Sequence, residues 1–129
     1  MNPAPYHAHI YYDAATRHLA ETAQQVLRQR MASGELPQLL FVGSLKDYKA
    51  GPHPLPQFEI HFTADILPLI REFIVASDFT ALVHPLTDDD LADHTRLAQW
   101  VGKPLELDLA TLDPPGRNQG VARFGLADF

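Results

Sequence analysis

The chain lacks cysteine altogether and is poor in basic residues, and both deficits exclude classes of function. Without cysteine, neither disulfides nor thiolate chemistry can contribute. Lysine and arginine number 10 against 16 aspartates and glutamates, which gives a formal net charge of −6. Nucleic-acid binding draws most of its affinity from basic side chains on phosphates, so no nucleic-acid partner is expected. No apolar run could cross a membrane and the N-terminus does not resemble a signal peptide, so we expect a cytoplasmic protein.

What the chain has in excess is histidine, with seven among 129 residues. The remaining composition, 46% hydrophobic and 20% charged, is ordinary for a globular protein, and the length predicts a single domain over residues 1–129. Histidine is the commonest metal ligand and the only side chain that ordinarily titrates near pH 7. The histidines are therefore the first candidates for functional residues.

Hydrophobic periodicity predicts an α+β chain in the order β-α-β-β-α-β. Alternating or apolar runs predict strands at residues 7–12, 39–43, 58–63 and 80–86. Helical spacing predicts helices over residues 16–31, from an Asp65 cap to Phe73, and from a capping box at Thr87 and Asp90 to Val101. The prolines of residues 46–56 predict a loop. This order matches the ferredoxin-like plan, with an antiparallel sheet, two helices on one face, and an additional C-terminal helix and tail.

Strand parity then sorts side chains between the two faces of the predicted sheet. Apolar residues alternate with polar ones along each strand, and the apolar sets must face the helices. The polar sets share the open face, and they contain His7, His9, Glu59, His61 and His84. The ferredoxin-like plan also places the first strand between the third and fourth, antiparallel to both. The start of the first strand thus meets the ends of the others, which brings His7 close to His61 and His84.

The His7-x-His9 pair predicts a metal site on this open face. Its two imidazoles lie on one side of the strand, roughly 7 Å apart along the chain. They can share one divalent ion if a third ligand comes from a neighbouring strand, and His84 can supply it. Glu59 could add a carboxylate, and His61 is a further possible ligand. The alternative is that these histidines are simply polar residues of an exposed sheet.

Two further histidines, His53 and His94, are candidates for acid–base chemistry. His53 lies in a Gly-Pro-His-Pro run, where the prolines restrict the backbone and fix the direction of the imidazole. A tight surface turn is the alternative. His94 lies on the predicted buried side of the third helix, where a structural, hydrogen-bonded histidine is the alternative, and Asp93 could orient it. For His53 to act, its loop must fold back across the open face.

Four motifs, in order, resemble the DOPA 4,5-dioxygenase family over residues 6 to about 108. They are Tyr-His-Ala-His-Ile-Tyr-Tyr at 6–12, Val-Gly at 42–43 with Gly-Pro-His-Pro at 51–54 and Phe-Glu at 58–59, Leu-Val-His-Pro at 82–85, and Asp90 with Asp-His-Thr at 93–95. The resemblance implies a ferredoxin-like fold, an iron(II) site and extradiol cleavage of a catechol by dioxygen. It points to His7, His9, His53 and His84, and to Asp93-His94 in the last motif. His61 departs from the family pattern.

The resemblance therefore implies an extradiol dioxygenase that uses Fe(II), with zinc or another divalent ion possible in purified protein. From the resemblance together with the sheet-face argument, which contributes His61 and Glu59, we expect the metal ligands to come from His7, His9, His84 and His61. The expected catalytic residues are His53, Glu59 and His94. The expected partners are a catechol such as L-DOPA and dioxygen. A metal-binding protein without oxygenase activity, or a small-ligand-binding or dimerisation module, are the alternatives. Because the open sheet face needs a cover, we expect a homodimer or coverage by the C-terminal segment from Pro104 onward.

Overall fold

Five strands form one antiparallel sheet in the computed structural model of the chain, which describes residues 3–128. The sheet has the order β2-β3-β1-β4-β5, with β1 at its centre. The strands are β1 (Pro5–Tyr11), β2 (Leu39–Val42), β3 (Gln57–Thr63), β4 (Ala81–Pro85) and β5 (Gln99–Val101). The helices are α1 (Arg17–Ala32), α2 (Leu67–Ala76), α3 (Asp90–His94) and α4 (Gln119–Arg123), with 3-10 turns at Ala64–Ile66 and Leu109–Thr111. None of these helices is both long and apolar enough to span a bilayer.

The first four strands with α1 and α2 confirm the predicted ferredoxin-like plan. The central strand β1 is antiparallel to β3 and to β4. In the register of these pairs, His7 lies opposite His61 on one side and opposite His84 on the other. The predicted meeting of these three histidines is therefore confirmed.

The core occupies the helical face of the sheet and fixes this register. Phe58, Ile60 and Phe62 of β3 are fully buried there, as is Ile10 of β1. Each such side chain contributes about 1.5–3 kcal/mol when it is buried. A slip of one residue would move all three β3 side chains to the opposite face, so the alternative registers are strongly disfavoured. The core thereby determines which residues of β1, β3 and β4 face the other way.

The predicted helix from Thr87 to Val101 is wrong. Only Asp90–His94 is helical, and Gln99–Val101 forms β5, which pairs with the edge of β4. The edge of β4 offers backbone hydrogen bonds to the β-favouring residues Trp100 and Val101, and helical propensity does not compete with that gain. Asp89 rather than Thr87 caps α3, by accepting a hydrogen bond from the Ala92 N–H.

The predicted Asp65 cap is also wrong. The chain passes through the 3-10 turn Ala64–Ile66 before α2 begins at Leu67, with proline in the first turn. No side chain caps α2, and Asp65 instead accepts a hydrogen bond from the Thr63 hydroxyl. The early proline restricts the backbone and favours the helix start one turn later than the carboxylate indicated.

The second sheet face is covered by residues 108–128, which we call the C-terminal strap. The strap begins where the Asp108 N–H donates to the Pro52 carbonyl at 2.9 Å. Near its end, the Gly125 N–H donates to His61 Nδ1 at 2.8 Å, and Asp128 accepts a hydrogen bond from the Ser44 N–H. Coverage by the C-terminal segment was one of the two predicted solutions, and it is confirmed. The homodimer stays a prediction.

Candidate metal centre

Three histidines of the second sheet face point their ring nitrogens at a common space. His7 and His9 belong to β1 and His84 to β4, and all three are buried. One ligand atom from each lies within 4.8 Å of the others. The His9 and His84 Nε2 atoms are 3.0 Å apart. Two nitrogens that each lie about 2.1 Å from one metal ion, at right angles, would be separated by about 3.0 Å.

The hydrogen bonds of His9 and His84 leave lone pairs on both of these Nε2 atoms. His84 Nδ1 lies 2.7 Å from the Pro85 carbonyl, which can only accept, so Nδ1 carries the proton. His9 Nδ1 likewise donates to Gln57 Oε1 at 3.2 Å. In the neutral rings the two Nε2 lone pairs therefore face one another. That arrangement is repulsive by itself and fits a shared cation, so the donor set suits a divalent metal.

Burial keeps these histidines neutral, the form that binds metal. Burial lowers the pKa of His84 to about 3, with a smaller effect from His94. Burial also lowers the pKa values of His7 and His9 well below the usual value, with further lowering from His84 and His53 respectively. A positive charge in a low-dielectric space beside other histidines is unfavourable. At neutral pH the site thus presents unprotonated imidazole nitrogens.

Glu59 and His61 of β3 lie beside this trio. Glu59 Oε2 is 2.9 Å from His61 Nε2 and 3.6 Å from His7 Nδ1. His7, Glu59 and His61 also have ligand atoms within 4.8 Å of one another. The structure thus brings together every residue that the sequence predicted on this face. Their roles as ligands stay predictions.

His53 reaches the site as its candidate role required. The loop that carries it folds back across the open face, and its ring centroid lies 4.2 Å from that of His9. The Tyr11 hydroxyl is 2.7 Å from His53 Nδ1. Burial lowers the pKa of His53 to about 3, with help from His94. His53 is therefore a neutral imidazole held beside a candidate ligand.

His94 also joins the site, and Asp90 orients it. The ring of His94 lies 4.3 Å from that of His84, between centroids, and its Nδ1 is 2.8 Å from the Asp90 carbonyl and 3.3 Å from Asp90 Oδ1. The sequence proposed Asp93 for this task. The Asp93 carboxylate instead accepts hydrogen bonds from Thr87 and Asn118 and joins α3 to the C-terminal strap.

Sequence reasoning missed Tyr11 and Gln57, which hold His53 and His9. Tyr11 lies in the predicted first strand and has the same strand parity as His7 and His9. Gln57 lies one position before the predicted third strand, but it is the first residue of β3 and has the parity of Glu59. Strand parity alone could have identified Tyr11, and extension of the third predicted strand by one position would have identified Gln57.

A pocket of about 440 Å³ opens above the histidines. His7, His9, His53, His84 and His94 line it together with Glu59. Charged residues of both signs also line it, with Lys46 and Lys49 from the loop before β3, Asp90 from α3 and Asp113 from the strap. The size and the charged lining of this space suit a small polar molecule.

The chain is similar to known proteins over most of its length. A family model described as the Dopa 4,5-dioxygenase family matches residues 6–111. A DOPA 4,5-dioxygenase from Amanita muscaria is 31% identical over 113 residues, which cover 83% of this chain and 49% of the Amanita protein. An uncharacterized 21.2 kDa protein from Botryotinia fuckeliana is 32% identical over 112 residues, which cover 79% of this chain and 60% of that protein. The chain thus spans 49–60% of the length of these two relatives.

A solved structure shows the same likeness. The crystal structure of a Nostoc punctiforme protein, described as a candidate dioxygenase, matches with a TM-score of 0.65 and 29% sequence identity. The match covers 84% of this chain and 90% of that one. The fold is therefore a feature that this chain shares with that protein.

Proposed function

Because the chain belongs to the Dopa 4,5-dioxygenase family, we propose that it is a metal-dependent extradiol dioxygenase that cleaves a catechol such as L-DOPA. The observation that supports this proposal most directly is the facing pair of His9 and His84 Nε2 lone pairs, 3.0 Å apart, at the base of a pocket. A site built for a cation, open to a space that accepts a small ring, meets the first requirement of such an enzyme.

His7, His9 and His84 would hold the metal, which we propose is Fe(II). When bound, iron(II) supplies the redox chemistry that ring opening by dioxygen requires. Neutral imidazoles suit iron, and three protein ligands leave room for two small molecules. Glu59 or His61 is a possible further ligand. The hydrogen bonds of His61 favour a positioning role over ligation.

His53 is proposed as the acid–base residue. The buried Tyr11 hydroxyl keeps its proton, because burial raises its pKa, yet it can either donate to His53 Nδ1 or accept from it. The opposite nitrogen, Nε2, can therefore accept a catechol proton or return one. Acid–base assistance of this kind contributes typically about 10²–10⁴-fold to a rate.

His94 and Glu59 are the other catalytic candidates. His94 Nδ1 bonds to the Asp90 carbonyl, so the Nε2 atom of a neutral His94 has a lone pair available for a proton. Glu59 offers a buried carboxylate on the same pocket wall. Either group could relay the second proton of a catechol.

The lining charges favour a substrate with its own charged groups. Lys46 and Lys49 suit a carboxylate, and Asp90 and Asp113 suit an ammonium. L-DOPA carries both groups, and the Amanita relative is named for that substrate. A catechol with a charged side chain should therefore be turned over with a lower KM than unsubstituted catechol.

Anaerobic reconstitution with Fe(II), followed by oxygen uptake with a catechol panel, tests the proposal. The panel should hold L-DOPA, 3,4-dihydroxyphenylpropionate and unsubstituted catechol, with the yellow ring-opened product as a second readout. Oxygen uptake without that product would indicate another oxidation. Metal binding without oxygen uptake would support a metal-binding protein that has no oxygenase activity. Absence of metal binding would support a ligand-binding or dimerisation module.

The variant His53→Ala sharpens this test. We expect it to keep its metal and its fold and to lose about 10²-fold or more in turnover. The matched control is His18→Ala, which removes an exposed histidine of α1. Loss of metal in His53→Ala would make His53 a ligand, and unchanged turnover would remove it from the mechanism.

A further inference from the structure

We propose that the C-terminal strap is a working part of the metal centre, because its Gly125 N–H sets the proton positions of His61, and His61 acts through Glu59 to position His7 as a ligand. This inference rests on the proposed metal site. It assigns His61 a positioning role in place of ligation. The proposed role is carried by hydrogen-bond direction, ring stacking and the path of the strap.

The direction of two hydrogen bonds determines which nitrogen of His61 carries the proton. A backbone N–H can only donate, so the 2.8 Å contact between Gly125 N and His61 Nδ1 makes that nitrogen an acceptor. The proton of the neutral His61 ring must then lie on Nε2. From there it is donated to Glu59 Oε2, at 2.9 Å. A nitrogen that carries a proton cannot bind a metal, so this arrangement withholds His61 from ligation.

Glu59 connects His61 to His7. The oxygen that accepts from His61, Oε2, lies 3.6 Å from His7 Nδ1. A carboxylate at that position favours the proton of His7 on Nδ1, which leaves the Nε2 lone pair for a metal. Metal-binding histidines commonly direct their second nitrogen at a carboxylate, and loss of such a partner costs about 10–100-fold in metal affinity.

Ring stacking holds the same groups in place. The His7 and His61 rings are nearly parallel, with centroids 4.0 Å apart and an interplanar angle of 10°. Phe124 of the strap stacks against both, with centroids 5.8 Å from His61 and 6.3 Å from His7. Phe41 of β2 lies 4.7 Å from the His61 ring. The imidazole of His61 is thus packed among other rings on the strap and the sheet.

The strap is fastened upstream by the same helix that carries His94. The Asp113 N–H donates to Asp90 Oδ2 at 2.8 Å, and Asn118 Nδ2 donates to Asp93 Oδ2 at 3.1 Å. These contacts direct the chain towards Phe124 and Gly125. The family match ends at residue 111, so residues 112–128 lie beyond it. In this proposal the positioning of His7 therefore depends on a segment outside the residues that the family model matches.

The experiment measures metal affinity without turnover, by chelator competition with Co(II) and Zn(II) and by the absorption spectrum of the Co(II) form. His61→Phe keeps a ring in the stack and removes both hydrogen bonds. We expect its metal affinity to fall by about 10–100-fold with a stoichiometry of one, and the Co(II) spectrum to shift. His61→Gln retains a donor towards Glu59 and should recover part of the affinity. His18→Phe is the matched control.

A second arm tests the strap itself. A chain that ends at residue 123 lacks Phe124 and Gly125 and should lose affinity to a similar extent as His61→Phe. In the His61→Phe background, the truncation should add little, because both changes break one hydrogen-bond chain. The control on the strap is Leu126→Ala, whose side chain is exposed. Truncation also keeps the inference testable if His61→Phe fails to fold.

The outcomes separate this inference from the proposed function. Native affinity in His61→Phe and in the truncated chain would overturn it, even if the native protein cleaves catechols. Two ions per native chain, with one lost in His61→Phe, would also overturn it and make His61 a ligand of a second site. A native protein that binds Co(II) but cleaves no catechol would sink the proposed function and leave the weakened affinity of the variants as support for the role of His61.

Discussion

Acidification should destabilise the metal-free protein, because burial keeps His53 and His84 neutral in the folded state. His53 and His84 have folded-state pKa values of about 3, mainly because of burial, against about 6.5 in an unfolded chain. Between these values the unfolded chain binds protons that the folded protein excludes. The stability that neutral His53 and His84 contribute is therefore fully present above pH 6.5 and is lost as the pH falls towards 3.

The magnitude follows from the same values. At pH 5 an unfolded-state pKa of 6.5 costs the folded protein about 2 kcal/mol for each histidine that stays neutral. His53 and His84 together would then account for about 4 kcal/mol, and the lowered pKa values of His7 and His9 act in the same direction. A domain of this size has only about 5–15 kcal/mol of stability, so the change should be easy to measure.

Urea denaturation of chelator-treated protein at pH 7.5 and pH 5.0 measures this difference. The variant His84→Asn removes one titrating group, so its loss of stability between the two pH values should be smaller by about 2 kcal/mol. The exposed His18→Asn control should show the native loss. Equal losses in the native protein and His84→Asn would refute the reasoning, as would a native stability that does not change. Saturating divalent metal should oppose the acid effect, because it binds only the folded, deprotonated site.

Three further predictions concern single side chains. His9→Ala should weaken metal binding severely in a chelator competition, and full native affinity would remove His9 from the ligand set. Tyr11→Phe removes the hydroxyl that contacts His53, so kcat should fall while metal affinity stays native. The fall should be smaller than that in His53→Ala, which is about 10²-fold. An unchanged kcat would show that His53 needs no such partner. Asp93→Asn should lower the free energy of unfolding by about 1–3 kcal/mol, measured by thermal unfolding. The amide N–H₂ would face the Thr87 and Asn118 groups that now donate hydrogen bonds to the buried carboxylate, and native stability would contradict this account.

The histidine cluster could be predicted from sequence because sheets obey a strict alternation. Phe58, Ile60 and Phe62 had to face the helices, which left Glu59 and His61 on the opposite side. The ferredoxin-like order then placed β1 between β3 and β4, so local parity and global topology together determined which residues meet. Neither step needed side-chain detail, because a slip of one residue would expose the core.

The third helix and the strap could not be predicted in the same way. Residues 87–101 carry helical spacing, but the open edge of β4 accepts Gln99–Val101 as a strand. The backbone hydrogen bonds of this pairing exist only once the sheet has formed, so no local sequence pattern indicates them. The strap is irregular, and its contacts join residues far apart in the chain, such as Gly125 with His61. Single hydrogen bonds of this kind leave no periodic trace in the sequence.

The site nevertheless depends on the core that could be predicted. His61 and Glu59 flank Ile60, and His7 and His9 flank Ala8, so residues of the candidate site and residues of the core share the same backbone. Ile60 and Ala8 are also register partners, and both are fully buried. A change in their packing must therefore move the backbone between two candidate ligands. Because the His9 and His84 nitrogens are only 3.0 Å apart, displacements of a few tenths of an ångström alter the fit to a metal ion. The packing of the apolar sheet face therefore fixes the backbone of the candidate metal centre. A larger side chain at Ala8 should weaken metal binding although no candidate ligand is substituted.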